Sequence, residues 1–228
     1  MKYTIDLIRT TNDIKILTDV FSNIKYNSIS RYVVENPNCP PEILVKILKR
    51  GKSDEISILA AKHTNCPPKI LVEILKRGDN DLYVSYEAAK NPNCPPEMLK
   101  EILEKTFKDR CSSGVTYGAA QNPNCPRETL KWMLMSEENI SCIQSAAENP
   151  NCTPKMLTEA FNFEKTNHFC SYMPRNINFP INILEKILEK GKKDNASYSA
   201  ASNPNCPAKA RINWMKKTQT DSILIKIY

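Results

Sequence analysis

Apolar residues in this chain recur as pairs four positions apart, and the pattern predicts a series of similar helices. In the first strong copy, Ile43 and Leu44 are followed by Ile47 and Leu48. A spacing of i, i+1, i+4 and i+5 places the four side chains along one stripe of an α-helix. The same stripe returns within 70–75, 98–103, 129–134, 156–161 and 183–188, and weaker copies lie within 16–21 and 210–215.

A short polar turn precedes each strong copy of the stripe. Its fullest form is Asn-Pro-Asn-Cys-Pro, and its fourth position recurs at steps of 27, 28, 31, 27, 27 and 27 residues. Proline suits the opening turn of a helix, because its missing N–H has no partner to lose there. The Asn-Pro step ends the preceding helix, since the residue before a proline is pushed out of the α region. Such a period indicates a solenoid of stacked repeats.

Two further signals divide each repeat into a first helix, which carries the stripe, and a second helix. A glycine after the stripe is expected to end the first helix in a left-handed conformation. An aspartate three residues later is expected to cap the second helix. In five repeats the second helix then ends in two adjacent alanines, which let neighbouring helices approach closely. The glycine and aspartate pairs are Gly51 and Asp54, Gly78 and Asp81, and Gly191 and Asp194.

The phrase Asn-Pro-Asn-Cys-Pro-Pro-Glu-Ile-Leu at 36–44 resembles the leucine-rich repeat variant family, and the likeness extends over roughly residues 35–215. The resemblance implies stacked helical pairs that wind as a right-handed superhelix. The repeat here is longer than the family's commonest unit, and we expect the extra residues between the first and second helices. Some members resemble iron–sulfur proteins through a cysteine-rich segment before the repeats. Residues 1–38 contain no cysteine, so we expect no such cofactor.

We therefore expect an all-α protein, a right-handed superhelical solenoid of two-helix repeats of about 27 residues. One domain is expected over residues 1–228. Within it, 1–34 form a degenerate N-terminal capping unit, 35–207 form the repeat array, and 208–228 form a C-terminal cap and tail. The apolar end of the tail, at 223–228, either covers the last repeat or serves as an exposed docking segment.

Composition and charge indicate the class of protein, but they say little about its activity. Of the 228 residues, 41% are hydrophobic and 25% are charged, as in ordinary folded domains. The chain has no apolar run of about 18 residues, and its first residues lack the apolar core of a secretion signal. We therefore expect a cytoplasmic protein without a membrane partner. The formal net charge of +7 leaves acidic partners open.

Six of the nine cysteines occupy the same position of the turn, and we expect them to be packing residues. Equivalent residues of neighbouring repeats lie about 8–10 Å apart, too far for a disulfide or for joint ligation of a metal. Phe179, which takes the place of cysteine in one repeat, cannot ligate a metal at all. The six cysteines are Cys39, Cys66, Cys94, Cys125, Cys152 and Cys206.

The ionisable residues do not form the pattern of a catalytic site. The two histidines, His63 and His168, have no nucleophile or carboxylate at a useful spacing. The sequence also lacks a glycine-rich loop of the kind that cradles phosphate. We therefore expect a protein that is not an enzyme, with no catalytic residue, no metal site and no cofactor.

The second helices are expected to line the concave face of the solenoid, so their exposed positions are the first candidates for binding. A position five or four residues before the turn is tyrosine in several repeats. Such rings are suited to stack on bases or to hold an extended peptide. Alternatively, these tyrosines half-bury against the first helices. The candidates are Tyr86, Tyr117, Gln144, Tyr172 and Tyr198.

The one long step, of 31 residues, places an insertion between Leu103 and Ala119. Insertions in repeat proteins map to loops on one face, and this is often the binding face. We therefore expect Phe107, Lys108 and Arg110 to contact a partner.

Basic residues follow the first helices and are expected to line one rim of the solenoid, which suits the phosphate backbone of a nucleic acid. Alternatively, these cations stabilise the carboxyl ends of helices by about 0.3–1 kcal/mol each. We expect a scaffold that binds a protein or peptide on its concave face or at the insertion, with nucleic-acid binding as the alternative. The basic candidates are Lys49, Arg50, Lys52, Lys76, Arg77, Lys192 and Lys193.

Overall fold

The computed structural model describes residues 3–24, 28–77, 82–108, 113–136, 140–163 and 171–219. Within these ranges the chain forms fifteen α-helices and one short 3₁₀ helix, and it contains no β-strand. The predicted all-α class is therefore confirmed for the described part of the chain.

First and second helices alternate as the repeat pattern predicts. The first helices are α2 (Ile14–Ile24), α4 (Pro41–Leu48), α6 (Pro68–Lys76), α8 (Pro96–Lys108), α10 (Arg127–Leu134), α12 (Pro154–Phe163), α13 (Ile181–Glu189) and α15 (Ala208–Thr218). The second helices are α1 (Ile5–Thr10), α3 (Ser30–Glu35), α5 (Glu55–Lys62), α7 (Leu82–Lys90), α9 (Gly114–Gln121), α11 (Ile140–Ala147) and α14 (Asn195–Ser202). The repeat between α12 and α13 has the 3₁₀ helix Met173–Arg175 instead, where Pro174 breaks the α pattern.

The chain forms two compact units. Unit 1 comprises Met1–Thr106 and Ser113–Asn124, and unit 2 comprises Phe107–Ser112 and Cys125–Tyr228. The expected division into capping unit, array and tail stays a prediction.

The predicted stripe forms the interior of both units. Its second position is leucine in every strong copy, and each of these leucines is fully buried. Burying one such side chain contributes about 1.5–3 kcal/mol, so the stripe is the main apolar contribution of each repeat. The leucines are Leu44, Leu71 and Leu99 in unit 1 and Leu130, Leu157 and Leu184 in unit 2.

The paired alanines of the second helices let neighbouring helices approach closely. Ala88, Ala89, Ala119 and Ala120 are all fully buried in unit 1. Gly118 marks the closest approach, because a Cβ atom built there would lie 2.5 Å from the Tyr86 carbonyl oxygen. Any larger residue at this position would therefore force α9 away from α7.

In five of the turns, the first asparagine bonds backward to the preceding repeat. In unit 1, Asn122 Nδ2 donates to the carbonyl oxygens of Ala89 and Asn91, each at 2.7 Å. Asn91 Nδ2 donates in the same way to Ala61 and His63, at 2.7 and 2.9 Å. These amides are buried, so each bond satisfies a backbone group that water cannot reach.

The same bonds recur in unit 2. Asn203 Nδ2 donates to the carbonyl oxygens of Pro174 and Asn176, at 2.7 and 2.8 Å. In all seven turns, the side chain at this position also accepts a hydrogen bond from the backbone N–H two residues later. The asparagine thus shapes its own turn and holds the previous one.

Near the two ends of the chain, other residues make hydrogen bonds that the turn asparagines make elsewhere. At the N-terminal end, Thr11 Oγ1 accepts from the Asp13 N–H at 3.1 Å, as the asparagine side chain does elsewhere. At the other end, Arg211 Nη2 donates to the carbonyl oxygens of Asn203 and Cys206, at 3.1 and 3.3 Å. The guanidinium of Arg211 therefore takes the place of a following turn.

Gly51 and Gly191 adopt φ of +64° after their first helices, and Asp54 and Asp194 cap the second helices, as predicted. Gly78 and Asp81 lie outside the described residues.

A basic residue at the end of the next first helix covers each of the left-handed glycines, Gly51 and Gly191. Arg77 Nη1 donates to the Leu48 carbonyl oxygen at 3.1 Å, and Lys217 Nζ donates to that of Glu189 at 3.0 Å. A Cβ on Gly191 would lie 2.5 Å from Lys217 Cε, so glycine also makes room for this cation.

Candidate functional site

The predicted tyrosines of unit 1 are half-buried on the second helices. Tyr86 lies on α7 and Tyr117 on α9. The Tyr86 hydroxyl donates to Gln121 Oε1 at 3.2 Å, and its ring lies against Gly118 of the neighbouring helix. The structure therefore places this ring against another second helix, with one edge open to solvent.

The corresponding residues of unit 2 are half-buried as well. Tyr198 packs edge-on against Trp214, with the ring centroids 5.4 Å apart. The Arg175 guanidinium lies 5.4 Å from the Tyr172 ring centroid, and Gln144 is half-buried on α11. All five residues are therefore half-buried. The alternative interpretation, packing of the tyrosines against the first helices, matches Tyr198, whose ring contacts Trp214 of α15, and does not match Tyr86, which lies against α9.

A groove crosses the second helices of unit 1. It measures about 400 Å³ and is lined by Ile58 of α5, by Tyr83, Tyr86 and Glu87 of α7, and by Gly114 of α9. The lining is mostly apolar, and the Tyr83 side chain is 73% exposed. An aromatic ring this exposed beside an apolar groove is typical of a surface that binds another molecule.

Sequence reasoning missed Tyr83, although a signal was present. Tyr83 precedes Tyr86 by three residues, which is close to one turn of a helix, so the two rings lie on the same side of α7. Tyr83 lies at the start of α7, whereas the predicted binding positions are those nearest the turn.

The prediction for the insertion is wrong for Phe107. Its side chain is only 5% exposed, and its ring packs against Trp132 of unit 2 with the centroids 4.6 Å apart. The helix α8 continues to Lys108, so Phe107 belongs to a helix and not to a loop. Lys108 is exposed at the end of that helix, and Arg110 lies outside the described residues. Trp132 itself is 45% exposed.

The predicted basic rim consists of residues with two kinds of environment. Arg50 donates to the Ile47 carbonyl oxygen at 3.1 Å and to Asp54 Oδ1 at 2.8 Å, and Arg77 bonds Leu48 as described above. These two arginines serve helix ends, which was the alternative interpretation of the rim. The remaining candidates are exposed and form no ion pair with another described residue; they are Lys49, Lys52, Lys76, Lys192 and Lys193.

Hydrogen bonds hold the Asp54 carboxylate in its charged form. Burial alone would raise the pKa of Asp54, but bonds from Ser57 and Arg50 outweigh it, so the pKa lies below its ordinary value. Asp54 is therefore a charged cap of α5.

The six turn cysteines are buried and free. Burial raises the pKa of Cys39, Cys66, Cys94, Cys125 and Cys152 to about 12. Burial also raises the pKa of Cys206, against the opposing effect of Arg211. A thiol with such a pKa stays protonated near neutral pH and is a poor nucleophile and a poor metal ligand.

His63 occupies the asparagine position of its turn. The Asn65 N–H donates to Nδ1 at 2.9 Å, and Nε2 lies 3.0 Å from the Asn36 carbonyl oxygen. An imidazole with its proton on Nε2 satisfies both contacts, so His63 replaces an amide in the turn. His168 lies outside the described residues.

The described ranges contain no group of three or more His, Cys, Asp or Glu residues placed to hold a metal ion. No helix in these ranges is long and apolar enough to cross a membrane.

Comparison of the chain with protein-family models, with curated proteins and with solved structures found no match. Inference about function therefore begins from the groove and the surfaces of this chain.

Proposed function

We propose that this protein is a non-enzymatic scaffold that binds a protein or peptide partner on the exposed face of its second helices. The groove beside Tyr83 is the observation that carries this proposal. Covering an exposed aromatic ring of this size lowers the free energy, because apolar surface is removed from water. An extended peptide fits across the several second helices that line the groove.

We also propose that the repeats stack as a right-handed superhelical solenoid of the leucine-rich repeat variant kind. Near-equal repeat steps and the backward bonds of the asparagines support this arrangement, because each turn is built on the one before it. Small-angle X-ray scattering tests it. A compact domain of this length has a radius of gyration of about 17 Å. A solenoid gives a clearly larger value, and a value of about 17 Å would contradict the proposal.

Site-specific cross-linking tests the binding face directly. The photoreactive amino acid p-benzoylphenylalanine is placed at Tyr83 in one variant and at Lys69, an exposed residue of α6, in the control. Irradiation in cells that contain the native partners is expected to give a protein adduct with the variant at position 83. Nuclease treatment is expected to leave that adduct intact.

Two outcomes of this experiment would contradict the proposal. Adducts of equal yield at positions 83 and 69 would show that the second-helix face has no special role. An adduct at position 83 that nuclease removes would identify a nucleic acid as the partner.

A second candidate function, nucleic-acid binding, is favoured by the five exposed lysines of the rim. In unit 2, Lys192 and Lys193 are adjacent and have no anionic partner among the described residues. Binding through phosphate weakens steeply as the salt concentration rises, because counterions are released from the nucleic acid.

A gel-shift panel with single- and double-stranded DNA and RNA at low salt tests this candidate. The double variant Lys192→Glu/Lys193→Glu is compared with Lys46→Glu/Lys69→Glu, which changes the charge equally on the exposed sides of α4 and α6. Loss of binding in the first variant alone supports the candidate. No shift of any nucleic acid by the unaltered protein removes it.

A further inference from the structure

One of the five residues that line the groove of unit 1 is charged, and that residue is Glu87. Its side chain is half-buried, and no lysine or arginine of the described chain lies within ion-pair distance of its carboxylate. Water screens a partly buried charge less than an exposed one, so the carboxylate attracts a cation across a longer distance. The groove is therefore complementary in charge to a positive group.

Two tyrosine rings line the groove together with this carboxylate. Tyr83 is four residues before Glu87 on α7, and Tyr86 is three residues after Tyr83. Side chains three and four residues apart are neighbours on the surface of a helix, so both rings and the carboxylate border one space. The faces of tyrosine rings attract cations, and such rings combined with a carboxylate form a typical site for an ammonium or guanidinium group.

A lysine of the chain already contacts the hydroxyl of one of these rings. The Lys90 ammonium lies 5.4 Å from the centroid of the Tyr86 ring and 3.2 Å from its hydroxyl oxygen. Lys90 thereby occupies the hydroxyl end of Tyr86. An incoming cation is left with the exposed Tyr83 ring and the carboxylate of Glu87.

The remaining walls suit the stem of a long side chain. Ile58 on α5 presents an apolar surface, and Gly114 at the start of α9 presents no side chain at all. Lysine and arginine bury their methylene stems along apolar surfaces while their charged ends reach a polar partner. A groove with apolar walls and one carboxylate provides both contacts.

We propose that this groove binds the side chain of a lysine or arginine in an extended peptide of the partner. This inference rests on the proposed function, because it assumes that the second-helix face binds a peptide. It adds the chemical class of the residue that is recognised. Glu87 pairs with the cation, Tyr83 covers it, and Ile58 contacts the stem.

Selection from a library of random twelve-residue peptides displayed on phage tests the inference with the whole chain as bait. Enriched peptides are expected to share one lysine or arginine at a fixed place. One of them is then synthesised with a fluorescent label, together with a copy in which norleucine replaces the cationic residue. Norleucine keeps the stem and removes the charge. Fluorescence polarisation is expected to show about a tenfold weaker Kd for the norleucine peptide.

Two variants connect this preference to the groove. Glu87→Gln keeps the shape of the side chain. It is expected to raise the Kd of the cationic peptide about tenfold and to leave the Kd of the norleucine peptide unchanged. Tyr83→Leu is expected to act in the same direction. The matched control, Glu101→Gln on the exposed side of α8, removes an equal charge and is expected to change neither Kd.

The failures of this inference and of the proposed function are distinguishable. The inference would be overturned if the enriched peptides share no cationic residue, or if Glu87→Gln leaves the Kd of a cationic peptide unchanged. Either result would still support peptide binding by this face. A selection that enriches no peptide, while circular dichroism shows a folded bait, would overturn both.

Discussion

The turns of this protein are nearly the same in every repeat, whereas the outer positions of its second helices differ. In every turn, an amide or imidazole accepts the same hydrogen bond from the backbone N–H two residues later. The half-buried positions of the second helices instead hold different residues from one repeat to the next. In unit 1, Asn91 and Asn122 are interchangeable in role, but Ile58, Tyr86 and Tyr117 at equivalent positions are not.

The difference shows which part builds the array and which part is free to recognise something. A buried amide that satisfies two carbonyl groups cannot be exchanged without leaving those groups unpaired. A residue on the outer side of a second helix satisfies no buried carbonyl group, so its side chain is available to bind a partner. Substitutions in the interior and turns should therefore change stability, and those on the second-helix face should change binding.

The largest expected effect belongs to the buried stripe. Leu99→Ala removes a fully buried side chain from α8 and should lower the free energy of unfolding by about 2–5 kcal/mol. Urea denaturation followed by circular dichroism measures the change. A loss below about 1 kcal/mol would show that the stripe is not the interior of the unit.

A turn asparagine should rank next. Asn91→Ala leaves the carbonyl groups of Ala61 and His63 and one backbone N–H without their partner, which should cost about 2–3 kcal/mol. The control is Asn124→Ala, which removes a more exposed amide that bonds the Pro92 carbonyl oxygen. Equal losses in the two variants, measured by urea denaturation, would contradict the special role of the buried asparagine.

The buried thiols should make the protein sensitive to alkali. Unfolding lowers the pKa of the Cys66 thiol from about 12 to the ordinary value of 9.0. Between these values the unfolded thiol is ionised and the folded one is protonated, so the folded state binds more protons and stability falls as pH rises. The slope is about 1.4 kcal/mol per pH unit for each thiol, and below pH 9 this contribution to stability is fully present.

Cys66→Ala isolates one thiol from the other groups that titrate in alkali. Lysine and tyrosine residues are common to both proteins, so the difference in slope belongs to Cys66. The variant should lose stability less steeply than the unaltered protein when unfolding is measured at several values above pH 9. Parallel slopes would mean that Cys66 reaches solvent in the folded state.

The smallest change in stability should come from the second-helix face. Tyr83→Ala removes an exposed ring and should alter the free energy of unfolding by at most about 0.5 kcal/mol. The same variant should lose the partner that is cross-linked from position 83. A large loss of stability together with normal binding would reverse the roles assigned to the two regions.

Much of the helical architecture is predictable because its causes are local and repeated. The spacing of Leu44, Leu71 and Leu99 defines a helix stripe, and proline marks where each helix begins. The left-handed Gly51 and the capping Asp54 follow from the same reasoning. Because the pattern recurs in many repeats, a chance match in any one repeat does not change the predicted architecture.

The candidate site was less predictable because it depends on neighbouring elements. The exposure of Tyr83 and Tyr86 is decided by what α5 and α9 place beside them, and sequence spacing on α7 contains no such information. Phe107 was assigned to a loop because an extra length of chain was assumed to lie outside a helix, whereas α8 absorbs part of it. The role of the turn asparagines as donors to the previous repeat also needs three-dimensional contacts.

In the turns whose bonds the structure describes, the asparagine side-chain amides donate to carbonyl groups that precede them in the chain. Each new repeat that leaves the ribosome meets acceptors that have already been synthesised, so it can be added without waiting for later segments. Arg211 donates to the carbonyl oxygens of Asn203 and Cys206, which correspond to acceptors in the earlier turns. Translation therefore supplies the acceptors of each repeat before it supplies the donors.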